Sequence, residues 1–141
     1  MDVRHRLPQL KAIDASSFQL CHRYEDIRWL TGFTGSTAVL LVDRRDGSGH
    51  LIVDGRYLER AEDEILRSNS PTSVHLINGP TTVDDEIASI VGDCQVGVDG
   101  THITAAQLVR LQSKMTVVLE DTPLDQLRRV KDSNEIELID A

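Results

Sequence analysis

The sequence predicts an α/β domain of three layers, with helices on both faces of one mixed β-sheet. Three observations carry this. Apolar runs of strand length alternate with amphipathic stretches of helical period through the second half of the chain. Two early runs, TAVLLV and GHLIV, flank Asp46-Gly47, a pair that joins antiparallel strands, so the sheet opens with a hairpin and is mixed, not fully parallel. The core has to be aliphatic, because 40% of the 141 residues are hydrophobic and only 4% aromatic. That length and composition suit a single domain with a sizeable core.

Each element has a local cause. Val3, Leu7 and Leu10 recur at helical spacing, with Pro8 breaking or starting the helix. Residues 18–21 read as a short strand, and 25–30 as a helical turn ending near Gly32. Strands follow at 37–42 and 49–53. Leu58, Ala61 and Ile65 then repeat at i, i+3 and i+7, with charged residues on the opposite face, and SNSP ends that helix. Residues 73–77 form a strand and 78–80 a loop. Thr82 caps a helix to about Val91, with Asp84, Asp85 and Glu86 in its positive first turn. A strand at 95–99 leads to Thr104 and Gln107, the capping-box spacing, and a helix with Leu108, Leu111 and Met115 inward. The last strand is 116–119. Thr122-Pro123 then starts a helix carrying Leu124, Leu127 and Val130, and a further start follows at Asp132.

The net charge is −8 and no Lys/Arg cluster stands out, which argues against nucleic acid and against an anionic membrane surface. No apolar run approaches the ~20 residues of a membrane-spanning helix. The opening MDVRHRLPQL lacks a signal-peptide apolar stretch, so a cytoplasmic location is expected. Cys21 and Cys94 form no CxxC or zinc spacing and read as small buried thiols.

No catalytic constellation emerges from the residues. The stretch RWLTGFTGST runs into a strand, whereas a phosphate loop runs into a helix whose N–H groups face the anion. Gly32, Gly35 and Gly55 are expected as turn glycines. They leave Phe33 unexplained: a ring between glycines is either folded inward or set against a partner. His5, His22, His50, His75 and His102 show no i, i+3 or i, i+4 pair, so no metal site is expected. The acidic triplets 62–64 and 84–86 read as solvated helix faces, and His75 as a strand surface residue. There is no GxSxG elbow, and Cys21 and His22, adjacent in sequence, are not expected to meet as nucleophile and base. Arg56 in DGRY can grip a carboxylate with two hydrogen bonds, or simply pair with Glu59.

Four segments nevertheless form a pattern: DIRWLTGFTGST, LIVDGRYLERAEDE, VGVDG and LRRVKDSNEIELIDA, in this order and spacing. Together they resemble the N-terminal domain of the creatinase/Xaa-Pro peptidase family, the metallopeptidases that include aminopeptidase P and prolidase. The likeness runs from about Ile13 onward. The family pattern is closer to NIRYLTGFTGS, and this chain has Asp26 and Trp29 at the Asn and Tyr positions.

The resemblance implies residues 1–121 as the N-terminal domain, with 122–141 a linker helix and the start of a catalytic domain. That second domain would hold two divalent ions, manganese or cobalt, with two Asp, one His and two Glu. None of those ligand motifs occurs in this chain. The implied parent is a metal-dependent Xaa-Pro aminopeptidase or dipeptidase that acts on proline-containing peptides as a homodimer. Its N-terminal domain would assist dimerisation and close over the neighbouring subunit's active site. Phe33, Thr34 and Arg56 would then be interface or substrate-adjacent residues, and this fragment alone would be inactive. Two other readings share the fold: a non-catalytic binding module, as in a histone chaperone subunit, and a creatinase-like hydrolase of a C–N bond.

Overall fold

A computed structural model describes residues 2–11, 16–77, 82–121, 124, 127 and 128. Six strands form one mixed sheet: β1 (Phe18–Cys21), β2 (Val39–Asp43), β3 (Ser48–Val53), β4 (Thr72–Leu76), β5 (Gln95–Val98) and β6 (Thr116–Leu119). Their spatial order is β4-β3-β2-β1-β5-β6. β2 runs antiparallel to both neighbours, while β1–β5, β3–β4 and β5–β6 are parallel. The expected hairpin is β2–β3, closed by Gly47 N–H to Asp43 O at 2.9 Å with Gly47 at φ 76°.

Four helices cover the two faces. α1 (Tyr24–Thr31) and α2 (Leu58–Ser68) pack on one, with Leu30, Leu40, Leu51, Val53 and Ile65 in a shared core. α3 (Val83–Val91) and α4 (Ala105–Gln112) pack on the other, against Phe18, Leu20, Leu41, Ile52 and Val96. Successive residues of β2 alternate between these cores, as a pleated strand requires, and both its faces are buried. Leu124 and Leu127 join the α1/α2 core, and Arg128 Nε lies 3.5 Å from the buried Asp26 carboxylate.

The helix ends follow their sequence signals. Thr82 Oγ1 accepts from Asp85 N–H at 3.1 Å, and Thr104 and Gln107 complete the expected capping box. Asn69 closes α2 in the left-handed conformation. At the N-terminus Pro8 starts a helix, as one of the two expected outcomes, but only a single 3-10 turn, Leu7–Leu10; proline in the first turn has no N–H to join it to a preceding helical turn. That segment is instead pinned by tertiary contacts. Val3 N–H donates to Ser68 O, and Arg6 donates to Trp29 O at 2.8 Å while stacking on its ring. Met115 lies beyond α4 yet still packs on the core. The loop expected at 78–80, the helix start at Thr122-Pro123 and the second start at Asp132 lie outside the described residues.

Three segments meet at a nearly buried charge cluster. Arg44 Nη1 donates to Glu120 Oε2 at 2.7 Å, and Ser16 donates to the same carboxylate through N–H (3.0 Å) and Oγ (2.9 Å). Burial works against the ionised Glu120, but these donors outweigh it and hold its carboxyl below the ordinary range.

Candidate functional site

The glycine loop ends α1 and lies against α2. Gly32 is the left-handed cap of α1 (φ 80°), and its N–H donates to Arg28 O at 2.8 Å. A Cβ there would also come within 2.8 Å of Ser68 Cβ, so both backbone angle and space require glycine. Thr31 Oγ1 donates to Ile27 O and accepts from Phe33 N–H at 3.1 Å, which turns the chain inward. Changing Gly32 to alanine is expected to cost more than about 1 kcal/mol in unfolding free energy. Urea titration of the variant checks this.

Phe33 is folded inward. It is 0% exposed, sits in the α1/α2 core and meets Tyr57 edge-on at 6.0 Å. Of the two placements the sequence left open, the ring takes the inward one, and no part of it lies at the surface of this chain. The apolar gap between α1, α2 and β2 accepts it. Gly35 follows from the same packing, because a Cβ there would lie 2.2 Å from Phe33 Cζ.

Thr34 is half-buried and braced by α2. Its N–H donates to Glu64 Oε1 at 3.3 Å, and its Oγ1 donates to Glu64 Oε2 at 2.8 Å. Arg60 donates to Thr34 Oγ1 and pairs with Glu64 Oε1 at 3.1 Å. The i, i+4 spacing of Arg60 and Glu64 was the one sequence signal for this network. Ser36 Oγ and Tyr57 OH approach at 3.3 Å on the exposed side.

Arg56 faces solvent with 72% of its side chain exposed. Its partner is Asp54, at 2.9 Å, not Glu59 as the helical spacing suggested. Asp54 Oδ1 also accepts Arg56 N–H at 2.9 Å, forming the turn that places Arg56 before α2 begins. The Arg56 hydrogen bond holds the Asp54 carboxyl below its ordinary range, and the guanidinium stacks on Tyr57 at 5.3 Å. Gly55 lies in this turn, but nothing is within 4 Å of a Cβ there and its φ is not positive, so the turn does not demand glycine.

The loop and the start of α2 therefore make one polar surface over an aromatic pair, the buried Phe33 and the half-buried Tyr57. Phe33 and Tyr57 support it, Thr34, Glu64 and Arg60 brace it, and Arg56 projects from it. Such a surface can hold a loop in place and can meet a carboxylate.

Elsewhere, His50 Nδ1 and His75 Nε2 are 2.9 Å apart, and His75 Nδ1 is 3.5 Å from Glu86 Oε1. His75 is thus half-buried and bonded, not the surface residue expected. Burial, with His75 beside it, pushes the His50 pKa down. Among the described residues no three His, Cys, Asp or Glu side chains are arranged to hold a metal ion. Cys21 is buried with its thiol pushed up by burial, while His22 engages His102 O. Cys94 is only partly buried, contrary to expectation, because it follows α3 near the exposed Arg45. Among the described residues no helix is long and apolar enough to cross a membrane.

Comparison with known proteins gives a consistent set of relatives. The creatinase/prolidase N-terminal domain family matches residues 6–130. A probable Xaa-Pro aminopeptidase P of Phaeosphaeria nodorum (strain SN15) is 26% identical, over 79% of this chain and 19% of that protein. The chain thus spans about a fifth of the curated relative's length. An X-Pro aminopeptidase from Thermotoga maritima MSB8 superposes with a TM-score of 0.74 and 22% identity, over 94% of this chain and 38% of the other. The N-terminal domain of the cytoplasmic peptidase PepQ from Mycobacterium tuberculosis H37Rv superposes with a TM-score of 0.68 and 21% identity, over 88% of this chain and 96% of the other.

Proposed function

Because this chain belongs to the creatinase/prolidase N-terminal domain family, we propose that it is the non-catalytic, cleft-covering domain of a metal-dependent Xaa-Pro aminopeptidase or dipeptidase. One observation carries the reading. The fold superposes on nearly all of an isolated N-terminal domain but on only 38% of the Thermotoga maritima X-Pro aminopeptidase chain. The remaining length of such an enzyme is where the five ligands and two divalent ions, manganese or cobalt, belong in this reading. The ions would supply Lewis-acid chemistry for peptide-bond hydrolysis there.

The domain's own contribution is to dimerise and to close over the active site of a neighbouring copy in the cytoplasm. The surface built from Thr34, Glu64, Arg60 and Arg56 suits that role. The loop is pinned to α2 by charge-assisted hydrogen bonds, and Arg56 extends outward on a supported turn. In this reading Phe33 is a positioning residue that holds the loop from beneath. Arg56 is the group that reaches a carboxylate of the neighbouring subunit or of the peptide.

The test is to read the encoding gene past Ala141 and assay its full-length product with Mn²⁺ or Co²⁺ on Xaa-Pro di- and tripeptides. Release of the first residue is expected, and length preference separates dipeptidase from aminopeptidase. Missing ligands, or no cleavage with metal present, overturns the reading. In the same product Arg56→Ala is expected to raise KM or weaken dimerisation about tenfold, the size of one charge-assisted contact. Its unfolding free energy should stay within about 0.5 kcal/mol of the parent's. Unchanged KM and unchanged dimerisation would confine Arg56 to its pair with Asp54.

A further inference from the structure

The sheet has an open edge beside a groove lined by both polar and apolar side chains. β4 is an edge strand paired with β3 alone. Ile77 N–H donates to Val53 O and Pro71 O accepts from Gly49 N–H, both at 2.9 Å, so the odd-numbered residues turn their backbone toward β3. By the alternation of a parallel ladder, the N–H and C=O groups of Val74 and Leu76 point the other way. They meet no partner among the described residues.

α2 stands over this edge and leaves a groove of about 460 Å³ between helix and strand. Its apolar lining is Ile65, Leu66 and Val74; its polar lining includes Glu62, Asn69 and Ser70. Leu66 is 76% exposed, on a helix whose apolar stripe is already buried through Ala61 and Ile65. Glu62 is exposed and forms no ion pair among the described residues, whereas its neighbours Asp63 and Glu64 are paired to Arg67 and Arg60. An unpaired strand edge, a groove with an aliphatic patch of Ile65, Leu66 and Val74, and an unmatched carboxylate thus lie together.

We infer that the groove between β4 and α2 takes an extended peptide segment as a seventh strand, one that carries an aliphatic side chain and a Lys or Arg two residues away. The main chain of the segment bonds to Val74 and Leu76. Residues two apart share a face of a strand, so the aliphatic group enters the groove against Leu66 and Ile65 while the cation meets Glu62. A second copy of this chain is the less suitable occupant. The same edge and helix would bring another unpaired Glu62, with no cation in the groove lining to meet either. The inference stands apart from the proposed peptidase role and uses none of its residues.

The experiment uses the 141-residue chain and one probe, the capped hexapeptide Thr-Val-Thr-Lys-Thr-Val. Amide hydrogen exchange by NMR is followed as peptide is added. Exchange at Val74 and Leu76 is expected to slow at least about tenfold at saturation, as formed ladder bonds require. Leu66→Lys, at an exposed site that should fold normally, is expected to weaken binding about tenfold through the lost apolar contact. Glu62→Lys is expected to reverse the preference for this peptide over one with glutamate in place of lysine. A peptide with proline at its third position, which lacks that N–H, is expected to bind more weakly. Unchanged exchange at Val74 and Leu76 with millimolar peptide overturns the inference. So does undiminished binding by a folded Leu66→Lys variant. Protection that grows with protein concentration in the absence of peptide also overturns it, and identifies a second copy as the occupant.

Discussion

Replacing Phe33 by alanine is expected to destabilise the chain by about 3–5 kcal/mol, the cost of removing a buried aromatic ring and leaving a cavity. The ring is 0% exposed, it meets Tyr57 edge-on, and Gly35 closes over it. Chemical denaturation should show a lower midpoint with an unchanged slope. The functional consequence follows from the stability effect. Without its support the loop loses its fixed relation to α2, so any change in dimerisation or KM of a full-length product should accompany a fall in stability. A Phe33→Leu variant separates the two, since it keeps an apolar side chain in the site and should recover much of the loss. Full stability of Phe33→Ala, with altered association alone, would return Phe33 to the interface role first expected of it.

The second large effect is expected at Glu120. Glu120→Ala leaves Arg44, a nearly buried cation, without its carboxylate and leaves the Ser16 N–H without its acceptor. Breaking a buried pair from one side costs about 3–5 kcal/mol, and the partial exposure of Glu120 places this one near the lower end. The same cluster contributes to acid sensitivity. The Glu120 pKa is lowered in the folded state, so the unfolded state binds the proton more readily. The carboxylate's contribution is fully present above the ordinary glutamate value of 4.5 and is lost as pH falls below it toward the folded value. Stability measured from pH 7 to pH 3 should therefore fall less steeply in Glu120→Gln than in the parent. Equal slopes would remove Glu120 from the acid response.

Local signals in the chain were legible. The three-layer class, the Asp46-Gly47 hairpin, the Thr104–Gln107 capping box and the end of α1 at Gly32 all follow from residues within a turn or two of one another. Periodicity identified α2 because its buried stripe, Ala61 and Ile65, obeys one period over eleven residues. Boundaries shifted slightly: β2 begins at Val39, after the exposed residues 36 and 37. The family could be read as well, through four short segments in register, although no single one of them carries chemistry.

Contacts between distant segments decided the rest. Whether Phe33 turned inward or outward was open in sequence. The answer came from Tyr57, twenty-four positions away, and from the space between two helices. Arg56 was weighed against a helical partner and found Asp54 instead, because a turn precedes the helix and brings the earlier carboxylate back. The union of Ser16, Arg44 and Glu120 spans 104 residues and leaves no periodic trace. The sequence by itself determined which segments are strands and helices, where they cap and which face of each is apolar, because those properties depend on neighbours a few bonds away. Only the tertiary structure decided the order of the strands, the burial of Phe33 and the open edge at β4. Those depend on which apolar faces meet, and that choice is made by the free energy of the whole packed core.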